Sequence, residues 1–283
     1  MKKILVPCDF SKPSVNAFRF ALDLAIRTKG SIELLHIIEL PILHDTTLMP
    51  VLNFEAALLK ELEAKATASF VKMTEKYNTE RVKVTWAIEF GGVCKLILDH
   101  VHGKGIDTVV MGSHGASGLR EYFIGSNAEK IVGRSAVPVL IVKEYLKGGL
   151  KNIVFPNNLD LDDQDDLMQK VKSIQNFFGA QLHIVWINTP LNFTSDIITR
   201  HRLEEFAKHF TLKNYTLNIF NHPTGNDGIV EFAKVANADM IAMGTHGRKG
   251  FGHWLNGSLA EDVVNHSKAL VWTYSLKHEP VEA

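Results

Sequence analysis

Two apolar rhythms alternate along this chain. Short runs such as Lys3–Pro7 (KILVP), Ile32–Ile38 (IELLHII) and Asp107–Met111 (DTVVM) are almost continuously apolar, the pattern of strands buried on both faces. Between the runs, apolar residues recur every three or four positions, as on one face of a helix: Val15, Phe18, Leu22, Ala25, Ile26, then Phe54, Leu58, Leu59, Leu62, Ala66, Phe70, Met73. Ser11 is placed to cap the first of these helices, with Pro13 in its first turn and Gly30 closing it. Val82–Phe90 reads as a strand, Val93–Val101 and Asn127–Arg134 as helices, and Val137–Val142 as a fifth strand. Strands alternating with helices predict a parallel sheet covered on both faces.

The order then repeats. Asn152–Pro156 (NIVFP) matches Lys3–Pro7 at a shift of 149 residues, and Gly179 matches Gly30 at the same shift. Leu182–Ile187, Leu217–Phe220, Asp239–Met243 and Leu270–Tyr274 supply the later strands, and Leu203–Phe210 lies in the long helix. A linker runs through about Tyr145–Lys151, with Gly148-Gly149 inside it. The repeat also carries a glycine spacing. Gly112, Gly115 and Gly125-Ser126 recur as Gly244, Gly247 and Gly257-Ser258, all shifted by 132 residues. In both copies the motif follows the fourth strand, at the carboxyl end of the sheet where open parallel sheets bind ligands. Glycines there admit a phosphate to the backbone, and the helix start supplies free N–H donors at a positive dipole end. The bland alternative is that the glycines only punctuate loops, and the duplication weighs against it.

Composition narrows the classes. Lys+Arg and Asp+Glu are both 31, so no general attraction to nucleic acid or anionic membrane is expected. Cys8 and Cys94 form no CxxC pair, the apolar run after Met1 ends at Asp9, and no apolar stretch of 18 residues occurs; a cytoplasmic chain without a leader or a membrane span is expected. Of 13 histidines, His100 and His102 are the one close pair, read as the exposed end of a helix and not as a metal site. No GxxxxGK[ST] loop occurs, and no glycine follows the first strand as a GxGxxG fold requires. Neither a GxSxG elbow nor a Cys/His arrangement is present, and no paired carboxylates flank the glycines. Catalytic residues are therefore expected to be none, and metal ligands none.

The pattern Gly112-x2-Gly115-x9-Gly125-Ser126, with DTVVMG before it, VPVL after it and ILVPCDFS and LLHIIE opening the chain, resembles the universal stress protein family in its tandem form. The resemblance implies an α/β fold of two tandem Rossmann-like domains, 1–144 and 151–276. Each would be a five-stranded parallel sheet with helices on both faces, the two paired through their fifth strands as an intramolecular pseudo-dimer. It implies that ATP, ADP or AMP is bound, with or without Mg²⁺. Carried over, Asp9 meets the ribose or the adenine edge, Pro7, Ile37 and Met111 form the adenine slot, and Gly112, Gly115, Gly125, Ser126 and Asn127 hold the phosphates. Their counterparts are Pro156, Asn158, Met243, Gly244, Gly247, Gly257, Ser258 and Leu259. As a plain residue Asp9 is equally a helix-capping aspartate, and Ile37 and Met111 are core residues.

The second half departs from the pattern. Asn158 stands for Asp9 and lacks its charge, and Trp186 is aligned with Ile37, to stack on a base or fill the slot. His114 and His246 share a motif position, and Arg120, Arg248 and Lys249 lie in or beside the excursion; each is a phosphate contact or an ordinary loop side chain. The expected function is a nucleotide-binding stress-response regulator, with an unidentified protein partner, no nucleic acid, no membrane and room for a homodimer. The alternatives are a nucleotide-dependent Rossmann-like enzyme and a binder of a non-nucleotide ligand. Both halves are expected to bind, the first more tightly. Equilibrium titration of Gly115→Trp and Gly247→Trp with ATP tests this: the first variant should lose the tighter site and the second the weaker, and equal losses would contradict the ranking.

Overall fold

The apolar runs hydrogen-bond side by side into one ten-stranded sheet in the computed structural model, which describes residues 1–39, 52–114, 125–146, 149–245, 263 and 265–275. The first half contains β1 (Lys3–Pro7), α1 (Lys12–Thr28), β2 (Ser31–Ile38), α2 (Leu52–Tyr77), β3 (Lys83–Phe90), α3 (Val93–Gly103), β4 (Thr108–Gly112), α4 (Ser126–Arg134) and β5 (Val139–Val142). The second contains β6 (Asn152–Pro156), α5 (Asp165–Phe178), β7 (Gln181–Asn188), a 3-10 turn at Pro190–Asn192, α6 (Asp196–His209), β8 (Tyr215–Asn221), α7 (Gly225–Val235), β9 (Met240–Thr245) and β10 (Leu270–Ser275). Strand order is β3-β2-β1-β4-β5-β10-β9-β6-β7-β8, so each half runs 3-2-1-4-5 and the two meet at their fifth strands. Pairing is parallel within each half and antiparallel at that one junction.

Because the strands are buried on both faces, two apolar layers form. One packs α1, α2, α5 and α6 on the sheet through residues such as Phe18, Phe70, Val171 and Phe206. The other packs α3, α4 and α7 through Ile97, Ile131 and Phe232. Both layers run without a break across the two halves. No helix among the described residues is long and apolar enough to cross a membrane.

Several local expectations change. Ser11 caps α1 by accepting the Ser14 N–H at 3.4 Å, but the left-handed residue at the other end is Lys29, with φ 51°. Gly30 is needed for a different reason: a Cβ there would lie 2.6 Å from the Lys2 carbonyl oxygen. In the second half the left-handed cap is Gly179, with φ 66°, so Gly179 corresponds to Lys29 and that segment holds one extra residue. The helical stripe on α2 is buried at Ala66, Phe70 and Met73, whereas Leu58, nearer the N-terminus of this 26-residue helix, is 44 % exposed.

The junction is short and closely packed. Val271 pairs with Ile141, Trp272 with Leu140 and Thr273 with Val139, and Trp272 is among the largest fully buried side chains. Side chains tie across it as well: Lys143 Nζ donates to the Asn265 carbonyl at 2.8 Å, where burial pushes the ammonium pKa down to about 8. Val139 is 1 % exposed, so a charge there has no compensating partner. Val139→Lys should lower stability by about 3 kcal/mol or more, read by thermal melting; an unchanged melting temperature would mean the junction contributes nothing.

Candidate functional site

Strand register decides which side chains share the carboxyl rim of the first half. Pro7 is level with Leu35, and Leu35 with Ala87. Leu5 is level with Val109, so two residues on, Pro7 is level with Met111. Side chains alternate along a strand, so the next residues on this face are Glu89 on β3, level with Ile37 on β2, then Asp9 beyond β1 and Ser113 beyond β4. Two ranks result. Leu35, Pro7 and Met111 form a floor, and Glu89, Ile37, Asp9 and Ser113 form a lip. From β2 to β4 the lip spans two strand spacings, about 10 Å.

At the β4 end the lip meets a helix start. Gly125 N–H donates to the Ser113 carbonyl at 2.7 Å, which fixes the first turn of α4 beside the strand end. Gly125 is the N-cap and brings no side chain to the turn, and no other described residue caps it, which leaves the N–H groups of Ser126 and Asn127 at a positive dipole end. Asn127 Oδ1 accepts from the Cys94 thiol at 3.2 Å, and burial raises the Cys94 pKa. Ser126 is exposed, Asn127 half-buried and Met111 buried. The structure thus brings Pro7, Asp9, Ile37, Met111, Gly112, Gly125, Ser126 and Asn127 to one rim. Gly115 lies outside the described residues, as do Arg120 and the rest of the excursion.

Asp9 already has local work. Its Oδ1 accepts the Ser11 N–H at 3.1 Å and the Ser11 hydroxyl at 2.6 Å, which shapes the turn into α1 while the residue stays exposed. Gly112 has a packing role: a Cβ there would stand 2.8 Å from the Pro13 backbone, so α1 can cross β4 this closely only over glycine. His114 is joined to Ser113 through a 3.0 Å contact between Nδ1 and Oγ. Cys8 is core, its thiol pushed up to about 11 by burial.

The second half is built on the same register with different chemistry. Pro156 is level with Val185 and Ile187 with Phe220, so Ile187, not Trp186, corresponds to Ile37. Trp186 occupies the position of His36 on the opposite face, with the Arg202 guanidinium 5.2 Å from its ring centre. The one extra residue between β6 and β7 causes the displacement. Asn158 Oδ1 accepts from Asp160 N–H and from Gln164 Nε2, at 3.1 and 2.9 Å, so it is held inside its own loop. Met243 is buried, Gly244 half-buried, and the buried Thr245 hydroxyl has no partner among the described residues. His246, Gly247, Arg248, Lys249, Gly257, Ser258 and Leu259 lie outside the described residues.

One group of residues escaped the sequence reading. His100 is not at an exposed helix end; it is 4 % exposed, with Nδ1 2.9 Å from Glu33 Oε1 and Nε2 2.5 Å from Glu89 Oε1. Lys104 Nζ donates to Glu33 Oε1 at 2.8 Å and Lys3 Nζ lies 3.5 Å from Oε2. Burial alone would raise the Glu33 pKa, but the Lys104 ammonium and His100 outweigh it and hold it below the ordinary value. The legible signal was a charged residue at a core-facing position in each of two apolar strands, SIELLHII and KVTWAIEF.

Comparison with known proteins places these features. The model of the universal stress protein family matches residues 1–143 and 216–274. A universal stress protein of Methanocaldococcus jannaschii is 30 % identical over 153 residues, covering 50 % of this chain and 94 % of its own. One from Bacillus subtilis is 28 % identical over 145 residues, covering 50 % and 98 %. Among solved structures, a universal stress protein from Archaeoglobus fulgidus matches over 96 % of both chains, with a TM-score of 0.72 at 21 % identity, which is a likeness of fold. Gly112→Ala should destabilise the first half by about 1–3 kcal/mol by forcing α1 off β4, measured by chemical denaturation; a neutral effect would show that α1 shifts freely.

Proposed function

This chain belongs to the universal stress protein family, and on that premise we propose that it is a regulator that binds adenine nucleotide in the units 1–144 and 151–276. The observation that carries the reading is the first-half rim. Its apolar floor of Leu35, Pro7 and Met111 suits a purine face, and its polar lip leads over about 10 Å to an uncapped helix start that suits an anion. Asp9, whose Oδ1 accepts from Ser11, stands on that lip as the carboxylate for the ribose hydroxyls. Ser126 and Asn127 offer the phosphates N–H groups and a hydroxyl, with the Gly125 N–H already given to the Ser113 carbonyl, and Gly112, Gly115 and Gly125 are the proposed glycines of the phosphate loop. Mg²⁺, when bound, would neutralise phosphate charge.

The second unit is the weaker of the two. Its Asn158 is occupied within its loop, and the segment before α5 and the first turn of α5 carry Asp160, Asp162, Asp163, Asp165 and Asp166, whose charge opposes a polyphosphate. Thr245, with its orphaned hydroxyl beside Gly244, favours some ligand there, because a buried unpaired hydroxyl costs about 1–3 kcal/mol. Nucleotide acts in this reading as a bound signal that orders the rim for a protein partner, with turnover slow or absent. Small molecules released on denaturing the purified full chain, identified by mass spectrometry, together with ATP titration, test it. Adenine nucleotide at up to about two per chain is expected; the absence of both carry-over and saturable ATP binding would overturn the reading.

A further inference from the structure

A buried ionic chain is costly unless every member is paired, and among the described residues the first half has one and the second has none. There Lys3 and Lys104 hold Glu33, Glu33 holds His100, and His100 holds Glu89. Each ring nitrogen of His100 lies within hydrogen-bond distance of a carboxylate oxygen, one of Glu33 and one of Glu89. In the second half the matching positions are filled by a neutral set. His183 replaces Glu33, contacting Thr216 Oγ1 at 2.8 Å and Asn152 Oδ1 at 3.3 Å, and Phe220 replaces Glu89. Both halves fold on the same register, so the fold does not require the ions.

The chain ends at the rim. Glu89 is the residue level with Ile37, on the same face as Met111 and α3, and its side chain is 33 % exposed. His100 contacts Oε1, and the half-exposed carboxylate, on the strand position level with Ile37, offers Oε2 as an acceptor at the rim. We infer that Glu89 reads the exocyclic amino group of a purine lying over Ile37, with His100 as its positioning residue. The inference rests on the nucleotide reading above and deepens it. An amino group on carbon 6 donates to the carboxylate, whereas a 6-oxo group presents a lone pair to it. The first site therefore takes 6-aminopurines and rejects 6-oxopurines, and the second, with Phe220 at that place, does not discriminate in this way.

The test is competition titration of the full chain with ATP, ITP and the triphosphate of unsubstituted purine riboside. The wild-type chain should bind ATP at its tighter site about tenfold better than ITP, with the unsubstituted analogue between them. Glu89→Gln should bring ATP and ITP to within about twofold, since an amide both donates and accepts. His100→Gln should shrink the ratio partway, and a lowered melting temperature with the ratio intact would restrict His100 to a structural role. The three wild-type affinities need no variant, so they decide the matter even if a variant folds poorly. Equal wild-type affinities, or a Glu89→Gln variant that weakens all three ligands alike, would overturn the inference and leave the nucleotide reading standing. Binding of none of the three would remove both.

Discussion

The antiparallel contact between β5 and β10 is the constraint on which the rest depends. Each half exposes an apolar fifth strand whose free edge would otherwise template association with another chain. Pairing the two edges removes that hazard, joins two five-stranded sheets into one of ten, and makes both apolar layers continuous. It also fixes an approximate two-fold relation between the halves. The edges that remain, β3 and β8, are then at the far ends of the sheet.

Duplication let the two rims diverge while the scaffold stayed common. A parallel sheet needs apolar strands and close helix packing, and both halves supply these in register. The rim needs neither, so Asp9 and Glu89 in one half stand against Asn158 and Phe220 in the other. Most of the difference in chemistry between the halves sits in the few residues just past the strand ends, where side chains are half-exposed and backbone conformation is irregular. The positive φ of Phe10 and Leu159, at 63° and 60°, marks the same turn in both connections although the residues around it have changed.

The fold was legible because its signals are local. Apolar runs, helical spacing and glycine punctuation each span fewer than about 20 residues, and doubling them removed most ambiguity. What was hidden depended on separation in sequence. Glu33, Glu89 and His100 are distributed over three elements and look like isolated charges until the strands pair. The alignment of Trp186 with Ile37 failed by a single position, and in a strand one position exchanges the faces of the sheet. Gly30 looked like a helix cap, whereas the approach of the Lys2 backbone is what excludes a side chain there. The long helix showed its apolar stripe but not which of its residues are covered.

Opposite strand direction at the central seam has one more consequence. Carboxyl ends of the first five strands point one way and those of the second five point the other. The two mouths therefore open towards opposite poles of the molecule. A single flat surface can rest against one of them at a time, so whatever meets the Asp9 and Glu89 rim does not meet the Asn158 and Phe220 rim.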